Sequence, residues 1–250
     1  MTVDPSTAPR AAAAEGPKPS SFYAGLPGAF VFPFRKSGWA ILVGGTIIFT
    51  AGDLAGRLAG VIFMGVGFGL RLLMTAYVGA YMVSIIAEAA DGSDSPPDWP
   101  SVTDAWSDII GPLLRVVGAM LISFAPLLVY VLFGNPDSVW DLKLWLLGAL
   151  GASYLPMGLI AVALYGSMGA LNPITVVGGI IKTMPAYLVA AGSFFVIYAV
   201  NLGLRIAIAA GAPLGISPLG WAVSLYFLMV EMYILGRLYY THSRRLGWFE

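Results

Sequence analysis

The sequence predicts an all-α, polytopic integral membrane protein, a bundle of about six transmembrane helices with amphipathic helices at the membrane interface. Hydrophobic residues make up 58% of the 250 residues and charged residues only 10%, whereas soluble domains carry about 25% charged residues. Six apolar stretches approach the ~20 residues that cross a bilayer core. A chain this apolar has too little polar material to cover a water-facing surface, so lipid is its expected solvent.

The six predicted spans lie within a membrane domain over residues 21–241. The longest, the second, would reach about 45 Å as one helix, more than a bilayer core requires, so we expect it to tilt or to extend beyond the membrane. The predicted spans are 38–54, 58–87, 113–133, 142–165, 186–210 and 219–239.

The two ends of the chain are predicted to be tails. Residues 1–20 are rich in Ala, Pro and Ser and lack the apolar stretch of a signal peptide. Such a segment cannot bury enough apolar surface to order itself, so it is expected to be disordered. Residues 242–250 are expected to form a basic, aromatic cytoplasmic tail.

The distribution of Lys and Arg predicts that both termini are cytoplasmic. With six spans, only Arg57 and Lys143 fall on the side opposite the termini, and basic loops stay in the cytoplasm. An odd number of spans would place the basic N- and C-terminal clusters on opposite sides. The basic residues on the side of the termini are Arg10, Lys18, Arg35, Lys36, Arg115, Lys182, Arg237, Arg244 and Arg245.

Three segments on that side have the pattern of surface helices. Ser101–Pro112 begins with a capping-box-like Ser and Asp, and Asn172–Thr183 begins with a capping Asn followed by Pro at the first helical position. Phe22–Phe34 is weaker because Pro27 interrupts it. The apolar faces are Val102, Trp106, Ile109 and Leu113; Ile174, Val177 and Ile181; and Phe22, Leu26 and Phe30.

A surface helix followed by two spans therefore occurs three times. The chain is either an array of three such units or an ordinary bundle with surface helices between its spans.

Polar residues inside spans are the best pointers to function. Counting residues places Arg71 and Glu231 near the bilayer midplane, which suggests an ion pair between the second and sixth spans. The pair would either line a path for a substrate or a proton, or lock two helices together. Arg205 and Asn201 lie in the fifth span, where Arg205 is expected to snorkel to the headgroups.

The prolines and glycines within the spans are expected to affect helix geometry and packing and to take no part in binding or catalysis. Pro126 and Pro156 fall near the middles of the third and fourth spans and should kink them. Glycines four residues apart allow helices to approach closely. These glycines are Gly52, Gly56, Gly60, Gly65 and Gly69.

Other polar groups are expected at the membrane surface. The acidic loop 91–100 lacks EF-hand spacing and is interpreted as a solvated turn. Aromatic and basic residues anchor proteins at interfaces and contact lipid headgroups. The expected interfacial or lipid contacts are Trp99, Trp106, His242, Arg244, Arg245 and Trp248.

No catalytic or cofactor-binding motif is found. The chain has no cysteine and one histidine, and it lacks a Ser-His-Asp arrangement, an HExxH motif and a P-loop. We therefore expect no cofactor and no metal. The zero net charge gives no indication of nucleic-acid binding.

Several short motifs carry a family resemblance. They resemble bacterial and archaeal multi-pass membrane proteins grouped as a domain of unknown function and, more distantly, Yip-type membrane proteins. The resemblance covers about residues 20–250 and implies a six-span helical domain in a bacterial plasma (inner) membrane, with no catalytic or binding residues. The motifs are Phe34-Arg35-Lys36-Ser37-Gly38-Trp39, Asp91-Gly92, Pro97-Asp98-Trp99-Pro100, Leu171-Asn172-Pro173, Glu231-Met232, Leu235-Gly236-Arg237-Leu238-Tyr239-Tyr240 and Arg244-Arg245-Leu246-Gly247-Trp248-Phe249.

Together these features predict a non-enzymatic membrane protein that organises membrane or binds lipids, other membrane proteins or copies of itself. Two alternatives stay open. A small transporter or channel subunit would use Arg71 and Glu231, and a hydrated cavity reaching these residues would favour it. A membrane-embedded, lipid-modifying enzyme would need polar side chains clustered at the cytoplasmic interface.

Overall fold

A computed structural model describes residues 21–58, 60–98, 106–134, 140–211 and 218–248, and the side chains of 56–58, 60–67, 70–71 and 208–209 lie outside this description. All regular secondary structure in these ranges is helical. Six helices are long and apolar enough to cross a membrane. The prediction of an all-α, multi-pass membrane protein is therefore confirmed. The predicted tail 1–20, the capping residues Ser101 and Asp104, and Trp99 lie outside the described residues.

The helices follow the predicted order of short surface helices and long spans. A short 3₁₀ turn follows α1, another precedes α7, and a single π-helical turn at Trp106–Ile110 leads into α4. The helices are α1 Phe22–Val31, α2 Gly38–Leu58, α3 Gly60–Ala90, α4 Gly111–Ser123, α5 Ala125–Phe133, α6 Leu142–Tyr165, α7 Pro173–Lys182, α8 Met184–Gly211 and α9 Pro218–Leu246.

The predicted third span is two helices rather than one. Residue Phe124 leaves the helical conformation (φ −98°, ψ 7°), and Pro126 lies in the first turn of α5. Proline at this position lacks the N–H that would continue the α4 ladder, so the helix breaks where a kink was expected. In contrast, α6 continues through Pro156 and has the predicted bounds of the fourth span.

The last helix is longer than predicted. It continues to Leu246, which is almost fully buried. Residues 242–246 of the predicted tail 242–250 are therefore the last residues of α9. The Lys182 ammonium donates to the Leu246 carbonyl at 2.8 Å. Since that carbonyl is among the last four of the helix and has no partner within it, the lysine caps the C-terminus of α9.

Helix α9 forms the centre of the bundle, packed against α1, α2, α3, α6 and α8. Its closest approach is to α3, where a Cβ added at Gly236 would lie 2.5 Å from the Ala89 Cβ and 2.6 Å from the Ile86 carbonyl oxygen. Further along, Leu225 and Leu228 of α9 line the same small pocket as Tyr77 and Tyr81 of α3. Residue numbers rise together in both helices, so α3 and α9 run parallel.

The short helices form as the sequence indicates, with one difference in α1. The Asn172 side chain accepts from the Thr175 backbone N–H at 2.8 Å and Pro173 starts α7, as predicted. Pro27 does not interrupt α1, which is continuous across it. The side of α1 that packs inward contains Phe22 and Ala29, whereas Phe30 points outward.

The acidic turn after α3 is anchored to the bundle. The Asp94 carboxylate accepts from the Tyr233 hydroxyl at 2.7 Å and lies 3.5 Å from the Arg237 guanidinium, while Arg35 donates to the Asp94 carbonyl at 2.7 Å. Asp94 is still largely exposed. The segment is thus a solvated turn, as interpreted, but one that ties the start of α2 to α9.

Candidate functional site

Glu231 lies near the middle of α9 and is half-buried. Among the described side chains it has no hydrogen-bond or ion-pair partner. A carboxylate at this depth is expensive unless it binds a proton or meets a cation, so an intramembrane carboxylate is by default a functional candidate. Its surroundings therefore decide what it can do.

Glu231 lines a cavity of about 370 Å³. We call this space the Glu231 cavity. Aromatic rings provide much of its wall, and Tyr198 (65% exposed) and Phe195 (52% exposed) stand at the side that opens away from the bundle. Exposed aromatic side chains of α8 thus border the cavity. The lining residues are Phe124, Ala152, Leu155, Pro156, Phe194, Phe195, Tyr198 and Glu231.

The cavity exists because two helices that pack on α9 do not close against each other. Helices α6 and α8 both contact α9 but have no substantial interface with one another. The Tyr187 hydroxyl donates to the Ser153 carbonyl and joins them near the start of α8. Phe124, at the break between α4 and α5, also lines the cavity.

Polar contacts continue along the α8–α9 interface towards the end of the bundle opposite the termini. About two helical turns from Glu231, the Ser224 hydroxyl donates to the Asn201 side-chain oxygen at 3.1 Å. About one turn further along α9, the Arg205 guanidinium lies 5.2 Å from the centre of the Trp221 ring, a distance at which cation–π attraction operates. Arg205 is exposed.

Trp221 also ties this end to α2. Its indole N–H donates to the buried Asp53 carboxylate at 2.8 Å, and its ring stacks on Phe49 at 4.6 Å. The indole ring thus has a cation on one face and a carboxylate on its N–H, and the three side chains form a charged cluster at the end of the α8–α9 interface beyond Asn201. We call Asp53, Arg205 and Trp221 the outer cluster.

The structure does not place Arg71 level with Glu231. Since Gly236 of α9 packs against Ile86 to Ala90 of the parallel helix α3, Glu231 is level with a residue near 83, about twelve residues or ~18 Å along α3 from Arg71. The prediction of equal depth treated Arg57 and Glu88 as the two membrane boundaries, whereas the contact at Gly236 sets the level of α3 against α9. The Arg71 side chain itself lies outside the described residues.

The predicted interfacial residues have different environments. Trp106 is 66% exposed, and Arg244 and Arg245 are exposed, so all three are available to lipid. Trp248 instead packs between Tyr165 and Tyr239, with ring centres 5.7 Å from each. Its contacts are thus largely with the protein.

His242 is also held within the protein. Its Nδ1 lies 3.1 Å from the Leu238 carbonyl and 2.9 Å from the Thr241 hydroxyl, and its ring meets Phe22 edge-on. Nδ1 is thus engaged within α9, and the expected lipid-headgroup contact of His242 stays a prediction.

Three of the polar residues that define this region were missed from the sequence: Asp53, Trp221 and Ser224. One signal was available. Trp221, Ser224 and Glu231 are spaced by three and seven residues in α9, so they share one face of the helix. The cavity had no sequence signal, because it depends on how α6 and α8 diverge.

The chain matches no protein-family model, and no curated protein or solved structure is detectably similar to it. The resemblance to the multi-pass family and to Yip-type proteins therefore stays an expectation.

Proposed function

We propose that this protein is a non-enzymatic, transporter-type membrane protein that binds a small amphipathic molecule in the Glu231 cavity. The observation that carries the proposal is a carboxylate in the wall of a cavity of about 370 Å³, a size within the ~300–1,000 Å³ of small-molecule sites. A mostly apolar wall with one polar group suits a ligand that arrives from the bilayer and is oriented by its polar end.

The proposal favours the transporter alternative over a purely structural role for Glu231. A structural ion pair requires a partner at the same depth, and the register of α3 and α9 places Arg71 about 18 Å away along the helix. The polar contacts from Asn201 to the outer cluster hold α8 and α9 together at the end of the bundle opposite the termini. A carrier would have to break such contacts to release its ligand on that side, whereas a packed scaffold would not need them.

Binding of the neutral fluorescent probe N-phenyl-1-naphthylamine to protein in nanodiscs tests the proposal. We expect a saturable fluorescence increase above that of protein-free nanodiscs. Ala152→Phe places a ring in the cavity and should weaken binding at least about tenfold, whereas Leu146→Phe, at a lipid-exposed site of the same helix, should bind like the wild type. Absence of saturable binding, or equal binding by all three proteins, would contradict the proposal.

A second candidate function, binding of lipid or protein partners at the membrane surface, is favoured by α7. Its outer side carries Ile174, 88% exposed, and Ile181, 64% exposed, while Val176 on the opposite side is buried. A nitroxide on Ile174→Cys should be relaxed more by oxygen than by a water-soluble nickel chelate, and one on Asn172→Cys should behave in the opposite way. Stronger relaxation of both labels by the nickel chelate would place α7 in water.

The proposed location is the inner membrane of a bacterium, with both termini cytoplasmic. Six spans bring both ends of the membrane domain to one side, and basic residues gather there: Arg35 and Arg237 meet at Asp94, and Lys182 caps α9. In this cysteine-free chain, Ser93→Cys should react with an impermeant thiol reagent only from the cytoplasm, and Ser138→Cys only from outside. Labelling of both from one side would refute this topology.

A further inference from the structure

We infer that the ligand of the Glu231 cavity is a lipophilic organic cation, a molecule whose positive charge is carried within a bulky apolar frame. This inference rests on the proposed function, because it names the chemical class of ligand for the same cavity. It follows from three properties of the cavity: the sign of its one ionisable group, the chemistry of its wall and the direction of its opening.

The only acidic or basic side chain among the lining residues is Glu231. A lone carboxylate in a low-dielectric site attracts a cation more strongly than it would in water and repels an anion by a similar amount. A cationic ligand thus supplies the counter-charge that the described part of the chain does not.

The wall of the cavity adds a second preference for positive charge. Phe124, Phe194, Phe195 and Tyr198 all line it. The faces of aromatic rings carry negative electrostatic potential and bind cations, most strongly where water is excluded, and several rings around one site are the usual way that proteins hold a quaternary ammonium group. A neutral lipid tail would gain nothing from rings rather than aliphatic side chains.

The opening selects for apolar character. Since Phe195 and Tyr198 border it and both are exposed on the outer surface of α8, a ligand reaches Glu231 through the bilayer. A hydrated metal ion or a small ammonium ion does not partition there, whereas a cation whose charge is spread within apolar groups does.

Arg205 is too far away to compete with a ligand for the Glu231 carboxylate. It stacks on Trp221, which lies about three helical turns from Glu231 along α9, and the Ser224–Asn201 hydrogen bond lies between them. The cluster at the other end uses Arg35 and Arg237 on Asp94. The described basic side chains nearest to the cavity along α8 and α9 are therefore already engaged.

Tetraphenylphosphonium and tetraphenylborate provide a matched test, since they have nearly the same size and shape and opposite charge. Displacement of bound N-phenyl-1-naphthylamine from protein in nanodiscs, with lipid-only discs subtracted, would give the affinity for each ion. We expect the wild type to bind the cation at least about thirtyfold more tightly than the anion, a preference set by the charge pair. Glu231→Gln should remove most of this preference, and Glu231→Asp should keep it.

Two further variants separate charge recognition from misfolding. Glu88→Gln removes an exposed carboxylate at the end of α3 and should leave the preference unchanged. Tyr198→Leu should weaken binding of tetraphenylphosphonium by about threefold to thirtyfold and leave N-phenyl-1-naphthylamine binding within twofold or so, because the neutral probe gains little from the ring face.

The outcomes distinguish the two proposals. Saturable binding of the neutral probe that Ala152→Phe removes, together with equal affinities for the two ions, would overturn the cation inference and leave the proposed function standing. A cation preference that survives in Glu231→Gln would also overturn the inference. No saturable binding of any probe would overturn both.

Discussion

The contact between α3 and α9 at Gly236 makes a quantitative prediction about stability. Substitution of Gly236 by Ala adds a methyl group 2.5 Å from the Ala89 Cβ, whereas ordinary contacts begin at 3.4 Å. The second close atom is the Ile86 carbonyl oxygen of the backbone, which cannot rotate away. The two helices must therefore separate by about 0.9 Å, and overpacking of this kind costs about 1–3 kcal/mol.

A matched substitution removes the effect of helix propensity. Alanine is favoured over glycine in a helix by up to about 1 kcal/mol, which offsets part of the steric cost. Gly192 in α8 has no atom within 4 Å of an added Cβ, so Gly192→Ala carries the propensity gain alone. The difference between the two variants then measures the steric cost.

The apparent melting temperature of the detergent-solubilised protein, followed by fluorescence-detected size exclusion after heating, measures this difference. At about 2–4 °C per kcal/mol for a chain of this size, Gly236→Ala should melt about 2–12 °C below Gly192→Ala. Equal melting temperatures would show that α3 and α9 do not meet at Gly236. The register that separates Arg71 from Glu231 would then lose its support.

Two predictions concern single hydrogen bonds. Trp221→Phe keeps the stacked ring but removes the N–H that Asp53 accepts, and it should destabilise the protein by about 1–3 kcal/mol, whereas Trp39→Phe, at an exposed position, should change the melting temperature little. Just before α6, the hydrogen bond from the Tyr130 hydroxyl lowers the pKa of the partly exposed Asp141 carboxyl below its usual value. A lowered pKa stabilises the folded state above the unfolded-state pKa of about 3.9, and this stabilisation is lost as the pH falls through the folded-state pKa. Tyr130→Phe should therefore be less stable than the wild type at pH 7 and equal to it at about pH 2. A stability difference that is independent of pH would show that the bond to the ionised carboxyl is absent.

The long helices could be predicted because membrane insertion leaves a strong local signal. α6 begins and ends where the apolar stretch does, and α7 begins at the capping Asn172 and Pro173. Both depend on residues close together in sequence. The break at Phe124 was predicted only as a kink at Pro126, since the sequence shows where a helix is weakened and not how far its halves diverge.

The depth of charged residues was harder to predict, because it depends on which part of a long helix lies in the bilayer. Counting from Arg57 and Glu88 placed Arg71 at the midplane, whereas the contact of Gly236 with α3 sets its level against α9. The partners of Trp248 and His242 were missed for a similar reason: Tyr165 and Phe22 are distant in sequence.

Glu231 was identified from sequence, but its role was not. An intramembrane carboxylate stands out in any apolar helix, whereas the cavity that it lines is built from α6 and α8, which are far from it in sequence. Whether such a group is a structural pair or part of a binding site depends on packing between helices, which the sequence does not show.

The most direct test of the central claim is the reactivity of a single thiol in the Glu231 cavity. The chain has no cysteine, so Ala152→Cys places one thiol in the cavity wall, and Ala161→Cys places another at a fully buried site of the same helix. A small membrane-permeant maleimide should modify the thiol at 152 and leave that at 161 unmodified, and tetraphenylphosphonium should slow the first reaction. Equal protection of both thiols would show that the helices are closed around Glu231 and would contradict the account.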